Sequence, residues 1–215
     1  MSIHLVTSTD WNYRHYVIAL LKSLKNTFDD ISIIAIGPGD WQEFFSSHKV
    51  NIIHQPIETN LDYVTFCQTV RLRHLHQLLD SHDYLLLQDA DTRQNQKFNL
   101  ESLPESPVLG IWRHSHKKEK FKILAASVLF KQDPHTITTL KEIAELQQTG
   151  NFNNGWDQLI LYRTFGKDSH SLPAQWMDHG DTSPYKPNFD PRAVWWHVKN
   201  AVRKEKTKDW WFTKF

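Results

Sequence analysis

The chain has 215 residues, enough for one domain with a full hydrophobic core. Its 25 basic and 24 acidic residues leave a formal charge of +1, which excludes the global positive field of a nucleic-acid binder. The single cysteine, Cys67, excludes an internal disulfide and points to a reducing, cytoplasmic setting; no basic-then-apolar leader is read, and no apolar run approaches about 18 residues.

Short apolar runs alternate with segments of helical period, which predicts a single α/β domain on a mostly parallel central sheet flanked by helices. The first strand is expected over residues 3–7, followed by a helix in which Val17, Leu20, Leu21, Leu24 and Phe28 share a face. Residues 31–36 form a second strand, closed by the turn Gly37-Pro38-Gly39, and residues 50–54 a third. A long helix over residues 62–79 buries Phe66, Val70, Leu75, Leu78 and Leu79. The strand at 84–87 then runs straight into Gln88-Asp89-Ala90-Asp91. Strands are expected at 108–112 and 126–130, and helices at 135–147 and 157–165. Four prolines mark residues 172–191 as loop, and residues 193–198 form a late strand. No domain boundary is visible: residues 1–202 read as one domain and 203–215 as a basic, aromatic tail.

Ligands of open α/β sheets bind beyond the carboxyl ends of the strands, which is where Asp89 and Asp91 stand. In an extended segment, residues two apart project to one side, so both carboxylates can face one point. Crowded carboxylates repel unless a proton or cation intervenes. A hard divalent ion, Mn²⁺ or Mg²⁺, suits them and completes its shell with water and substrate phosphates. A solvated turn is the alternative reading of the pair alone. His197, in the run Val194-Trp195-Trp196-His197-Val198, offers a neutral imidazole to the same ion, or stands as a hydrogen-bonded core histidine. Arg203 and Lys204 supply charge for a diphosphate leaving group, or belong to a solvated tail.

The order of these pieces resembles the family 8 glycosyltransferases of the GT-A fold, the family of the lipooligosaccharide galactosyltransferases and glycogenin. The opening Val6-Thr7-Ser8-Thr9-Asp10-Trp11-Asn12-Tyr13 is similar to the family's first strand and donor-base loop. That likeness puts Thr7, Ser8 and Ala90 beside the donor, Asp10 and Asn12 on the uracil or ribose, and Tyr13 against the base. An arginine on the helix before the acid pair reaches the donor; Arg71 fits within one residue, with Arg73 as the substitute. Asn154-Gly155-Trp156-Asp157-Gln158 resembles the motif whose Asp-Gln pair opens a helix beside the transferred sugar. His197 with Arg203 resembles the closing motif, in which a histidine is the third metal ligand and a cation binds the diphosphate; Arg203 replaces the usual lysine and Asn200 the usual glycine. Residues 125–130, Ala-Ala-Ser-Val-Leu-Phe, lack the family's asparagine and glycine.

The resemblance implies metal-dependent transfer of a hexose, glucose or galactose, from a UDP-sugar to the hydroxyl of a saccharide or other acceptor, with retention. Asp157 and Gln158 would then orient sugar hydroxyls; in an inverting course Asp157 is the base, and as a plain helix-terminal carboxylate it caps backbone donors. Two other classes stay open. The acid pair resembles that of haloacid-dehalogenase phosphatases, although Arg93 stands where their threonine belongs, and the 9 Trp and 12 Phe fit a non-catalytic carbohydrate-binding protein. Nucleotidyltransferases share an acidic metal site, but residues 7–13 contain no glycine for a phosphate loop. The tail mixes Arg203, Lys204, Lys206, Lys208 and Lys214 with Trp210, Trp211, Phe212 and Phe215, a pattern suited to weak contact with an anionic membrane or to packing back on the domain.

Overall fold

The computed structural model describes residues 1–58, 62–113, 117–119, 122–150, 155–166, 169–178 and 190–197. In chain order its elements are β1 (Ile3–Asp10), α1 (Arg14–Ser23), β2 (Asp30–Ile36), α2 (Trp41–Phe44), β3 (Asn51–Gln55), α3 (Tyr63–Thr69), α4 (Leu75–Leu79), β4 (Tyr84–Gln88) and β5 (Thr92–Gln94). These are followed by β6 (Val108–Trp112), β7 (Ile123–Lys131), α5 (Pro134–Thr149), α6 (Trp156–Phe165), β8 (Ser169–Ser171), β9 (Met177–Asp178) and β10 (Trp195–His197). Short 3₁₀ turns lie at Val70–Arg73 and Leu100–Ser102.

Seven strands form the central sheet in the order β3-β2-β1-β4-β7-β6-β8. β3, β2, β1 and β4 run parallel, β7 runs antiparallel to both β4 and β6, and β8 is parallel to β6. Strands covered on both faces read as unbroken apolar runs, which is why Leu85-Leu86-Leu87 carries no alternation. Leu85 and Leu87 face one core with Phe66, Val70, Leu140 and Phe165 from the helices. Leu86 faces the other, with Leu20, Trp176 and Trp195. Among the described residues no helix is long and apolar enough to cross a membrane.

Several elements differ from the sequence expectation for physical reasons. β1 continues three residues past Thr7, to Asp10. Helix α1 ends at Ser23 because the backbone turns extended at Leu24, and Gln94 Oε1 accepts the next two amides, Lys25 N at 2.7 Å and Asn26 N at 3.2 Å. Leu24 and Phe28 therefore reach the core from beyond the helix. The helix expected over 62–79 is broken by the 3₁₀ turn Val70–Arg73, where two arginines take partners on different elements. Strand β7 starts earlier than expected, and its pairing with β6 slips between Gly110 and Ile111. Across that irregularity Ile123 and Ala125 share a core with Val128 and Phe130, so the side-chain alternation changes phase near Ser127.

Ser127 ties the irregular strand to both neighbours. Its hydroxyl donates to Gln88 Oε1 at 2.8 Å and accepts from Trp176 Nε1 at 2.8 Å, fully buried. Ser127→Ala leaves an indole donor and an amide acceptor without partners, and is expected to lower unfolding free energy by about 2 kcal/mol in urea titrations.

Candidate functional site

The chain leaves the buried strand β4 at Gln88 and meets the carboxyl edge of the sheet. Asp89 N donates to Ala126 O at 2.9 Å, and Thr92 Oγ1 donates to the Asp89 carbonyl at 2.6 Å. Residues 89–91 therefore turn, and the extended geometry expected of the acid pair is replaced. The turn packs Ala90 against Val17, Ile33 and Trp41 while its two carboxylates converge.

The turn feeds β5, which pairs antiparallel with β10 in a small sheet ordered β5-β10-β9. The register sets His197 opposite Thr92, one residue from Asp91. His197 Nε2 lies 3.0 Å from Asp91 Oδ1 and 3.6 Å from Asp89 Oδ2, and one donor atom from each of the three residues falls within 4.8 Å of the others. Adjacent ligands of an octahedral ion with bonds of about 2.1 Å stand roughly 3 Å apart. The two separations from His197 are at or slightly above that value, and with all three atoms within 4.8 Å of one another, two carboxylate oxygens and one imidazole nitrogen could hold a divalent cation.

Beneath this triad lies Arg71, only 7% exposed. One guanidinium nitrogen donates to Asp89 Oδ1 and the other to Asp157 Oδ2, the latter at 2.8 Å. Asp89 thus gives one oxygen to the arginine and turns the other toward His197. Burial works against the charge on Arg71, but the two carboxylates outweigh it and hold the guanidinium firmly protonated. Asp157 is 3% exposed; burial pushes its carboxyl above the ordinary range, and Arg71 pulls against that shift. Arg73 points elsewhere, to Glu58 Oε1 at 2.5 Å and Gln147 Oε1 at 2.7 Å.

The triad, Arg71 and Asp157 line a cleft of about 440 Å³. The sheet order divides it: β1 and α3 border one side, the triad occupies the centre under β4, and β7 with the start of α6 borders the other. Gly155, at φ 82, turns the chain into α6 so that Asp157 and Gln158 face inward. Asp157 Oδ1 and Gln158 Oε1 are buried there without a hydrogen-bond partner among the described residues.

Of the residues expected at a donor site, Ser8, Asp10, Tyr13, Arg71 and Ala90 line this cleft together with the triad, Asp157 and Gln158. Thr7 does not: β1 runs on to Asp10, which leaves Thr7 fully buried inside the sheet. Asn12 also stands outside the lining, in the exposed turn after β1. Arg203 and the rest of the tail, with Asn154, Val198 and Asn200, lie outside the described residues. Sequence reading missed Tyr63, Val64, Cys67 and Gln68, which line the cleft from α3. Their signal was present: with Arg71 they form the face opposite the buried Thr65, Phe66, Thr69 and Val70.

No family model matches the chain, and no curated protein matches it. Solved glycosyltransferase structures do share its architecture. The chain is similar to the galactosyltransferase LgtC, solved with donor and acceptor sugar analogues, at 13% identity and a TM-score of 0.58 over 90% of this chain and 86% of that one. Glycosyltransferase GlyE of Streptococcus pneumoniae matches at 17% identity and a TM-score of 0.64, covering 92% of this chain but 54% of its own. A glycosyltransferase involved in glycosylation of the major capsid of PBCV-1 matches at 12% and 0.61, over 97% and 98% of the two chains. The chain therefore has the GT-A glycosyltransferase fold.

Proposed function

We propose that this protein is a metal-dependent glycosyltransferase that moves a hexose, glucose or galactose, from a UDP-sugar to an acceptor hydroxyl, with retention and in the cytoplasm. The observation that carries the reading is the convergence of Asp89, Asp91 and His197 at the centre of a cleft at the carboxyl edge of a GT-A sheet. Its structural neighbours are glycosyltransferases, which supports glycosyl transfer, and LgtC was solved with donor and acceptor sugar analogues.

Asp89, Asp91 and His197 would hold Mn²⁺ or Mg²⁺. Such an ion, when bound, supplies Lewis-acid stabilisation to a departing diphosphate. The remaining work falls to side chains. Asp157 Oδ1 and Gln158 Oε1, buried and without partners among the described residues, suit acceptance of hydrogen bonds from hydroxyls of the transferred sugar. Asp157 is also locked to Arg71, and protonating it as a base would break a buried ion pair; this supports an orienting role and a retaining course. Arg203 would add positive charge at the diphosphate, as the sequence resemblance implies.

Thermal-shift measurements test the reading directly. UDP-glucose or UDP-galactose should raise the melting temperature in Mn²⁺, and chelation should abolish the rise. His197→Ala and Asp91→Asn should each lose the Mn²⁺-dependent part. Phosphatase turnover with indifference to nucleotide sugars would instead favour the dehalogenase-like alternative.

The Arg71 bridge makes a separate, structural prediction. Arg71→Met strands the buried Asp157 carboxylate and is expected to cost about 3 kcal/mol of stability. Adding Asp157→Asn should recover part of that loss, read as coupling in a double-mutant cycle of chemical denaturation.

A further inference from the structure

Tyr63, in the first turn of α3, donates its hydroxyl to Asp10 Oδ2 at 2.7 Å, linking α3 to the end of β1. The other oxygen, Asp10 Oδ1, accepts from Tyr13 N at 2.9 Å. Both side chains line the cleft, and Tyr63 remains 43% exposed. A hydrogen bond so open to water contributes little to stability. Nor does α3 need it: Asp62 caps the helix through Thr65 N at 3.0 Å, and Phe66 is fully buried in the core. The consequence of this bond is instead the orientation of one carboxylate.

A carboxylate has about four lone-pair sites. Two of those on Asp10 are taken by the protein's own donors, one on each oxygen, which fixes its plane and leaves acceptor capacity for a ligand. The position within the cleft says which part of a donor it meets. A diphosphate at the triad leaves two directions for the rest of the nucleotide sugar. Toward β7 and α6 lie Asp157 Oδ1 and Gln158 Oε1, without partners among the described residues, which match sugar hydroxyls. Toward β1 and α3 lie the exposed rings of Tyr13 and Tyr63, which match a flat base. Asp10 is thus an acceptor-only group on the base side.

We propose that Tyr63 is a positioning residue that fixes Asp10 to accept a ring N–H and thereby selects uracil over cytosine in the donor. The inference rests on the transferase reading above. Uracil presents a protonated N3 at its pairing edge, whereas cytosine presents a lone pair there and would be repelled by the fixed carboxylate. Freed from Tyr63, the carboxylate can rotate away, and the discrimination weakens.

The test is calorimetric binding of UDP, CDP and inorganic pyrophosphate, each with Mn²⁺, to wild type and Tyr63→Phe. Wild type should prefer UDP to CDP by about tenfold or more, and Tyr63→Phe should weaken UDP by roughly three- to tenfold. Pyrophosphate should be unaffected and CDP should bind as well as before or more tightly, as its repulsion is relieved, so the base preference falls while the phosphate affinity stays. Unchanged UDP affinity would overturn the inference, as would an equal loss for all three ligands, which is the signature of a merely structural role. Asp10→Asn supplies a second arm, because its amide can donate to cytosine N3: the preference should move toward CDP, and a wild-type ratio in that variant also sinks the idea. Failure of folded wild type to bind any nucleoside diphosphate with Mn²⁺ would overturn the transferase reading and this inference together, whereas a wild type that binds UDP but a Tyr63→Phe that matches it removes the inference alone.

Discussion

The site depends on a single guanidinium holding two carboxylates from different parts of the chain. Asp89 follows the central strand, Asp157 opens α6, and both approach the same cleft beside Asp91. Three acids so close would repel one another and loosen the turn and the helix start. Arg71 answers that repulsion from below, with one nitrogen on each of two carboxylates. A lysine could not do this equally well, because an ammonium is a point charge while a guanidinium is a planar fork with donors at fixed separation. The bridge also couples the two ends of the site. Asp89 at the centre of the cleft and Asp157 at its far side are thereby held by the same side chain.

What remains is to bring His197 across 106 residues of chain separation to the same point. The small sheet does this. Pairing of β10 with β5 sets His197 opposite Thr92, and a slip of one residue would turn the imidazole to the opposite face. The register is held by aromatic side chains. Trp195 is completely buried in the second core, and Trp196 Nε1 donates to the Asp190 carbonyl at 2.7 Å. The aromatic run in front of the histidine is therefore the anchor that makes its position reproducible, and explains part of the chain's tryptophan content without any carbohydrate contact.

The parts of this design visible in the sequence are those fixed by local pattern. The unbroken Leu85-Leu86-Leu87 run announces a strand buried on both faces, and the acids after it fall at the edge where ligands bind. The break between α3 and α4 leaves no such trace. Phe66, Val70, Leu75 and Leu79 keep nearly the same spacing whether the turn at Val70–Arg73 is α or 3₁₀, and the distinction depends on Asp157 and Gln147 far along the chain. The choice between Arg71 and Arg73 is illegible for the same reason. Strands such as β5, β8 and β9, of three residues or fewer, are too short to show a period and exist because a neighbour supplies their hydrogen bonds. The acid pair converges through a turn closed by Thr92, a contact that an alternation rule cannot anticipate.

The wall of the cleft formed by β7 carries a further consequence for specificity. Leu124, Ala125 and Ala126 line the cleft where β7 changes phase, and none offers a polar side chain. Ser127 is the nearest hydroxyl on that strand, but Gln88 and Trp176 already engage it. The Ala126 carbonyl is likewise occupied, by the Asp89 amide. On the transferase reading, recognition of sugar hydroxyls among the described residues therefore concentrates on Asp157 and Gln158 at the first turn of α6. Those two residues are positioned by the left-handed Gly155 before them and by Arg71 beneath. Discrimination among donor sugars would then depend on where one helix begins. The run Ala-Ala-Ser-Val-Leu-Phe at residues 125–130 is the sequence counterpart of that apolar wall.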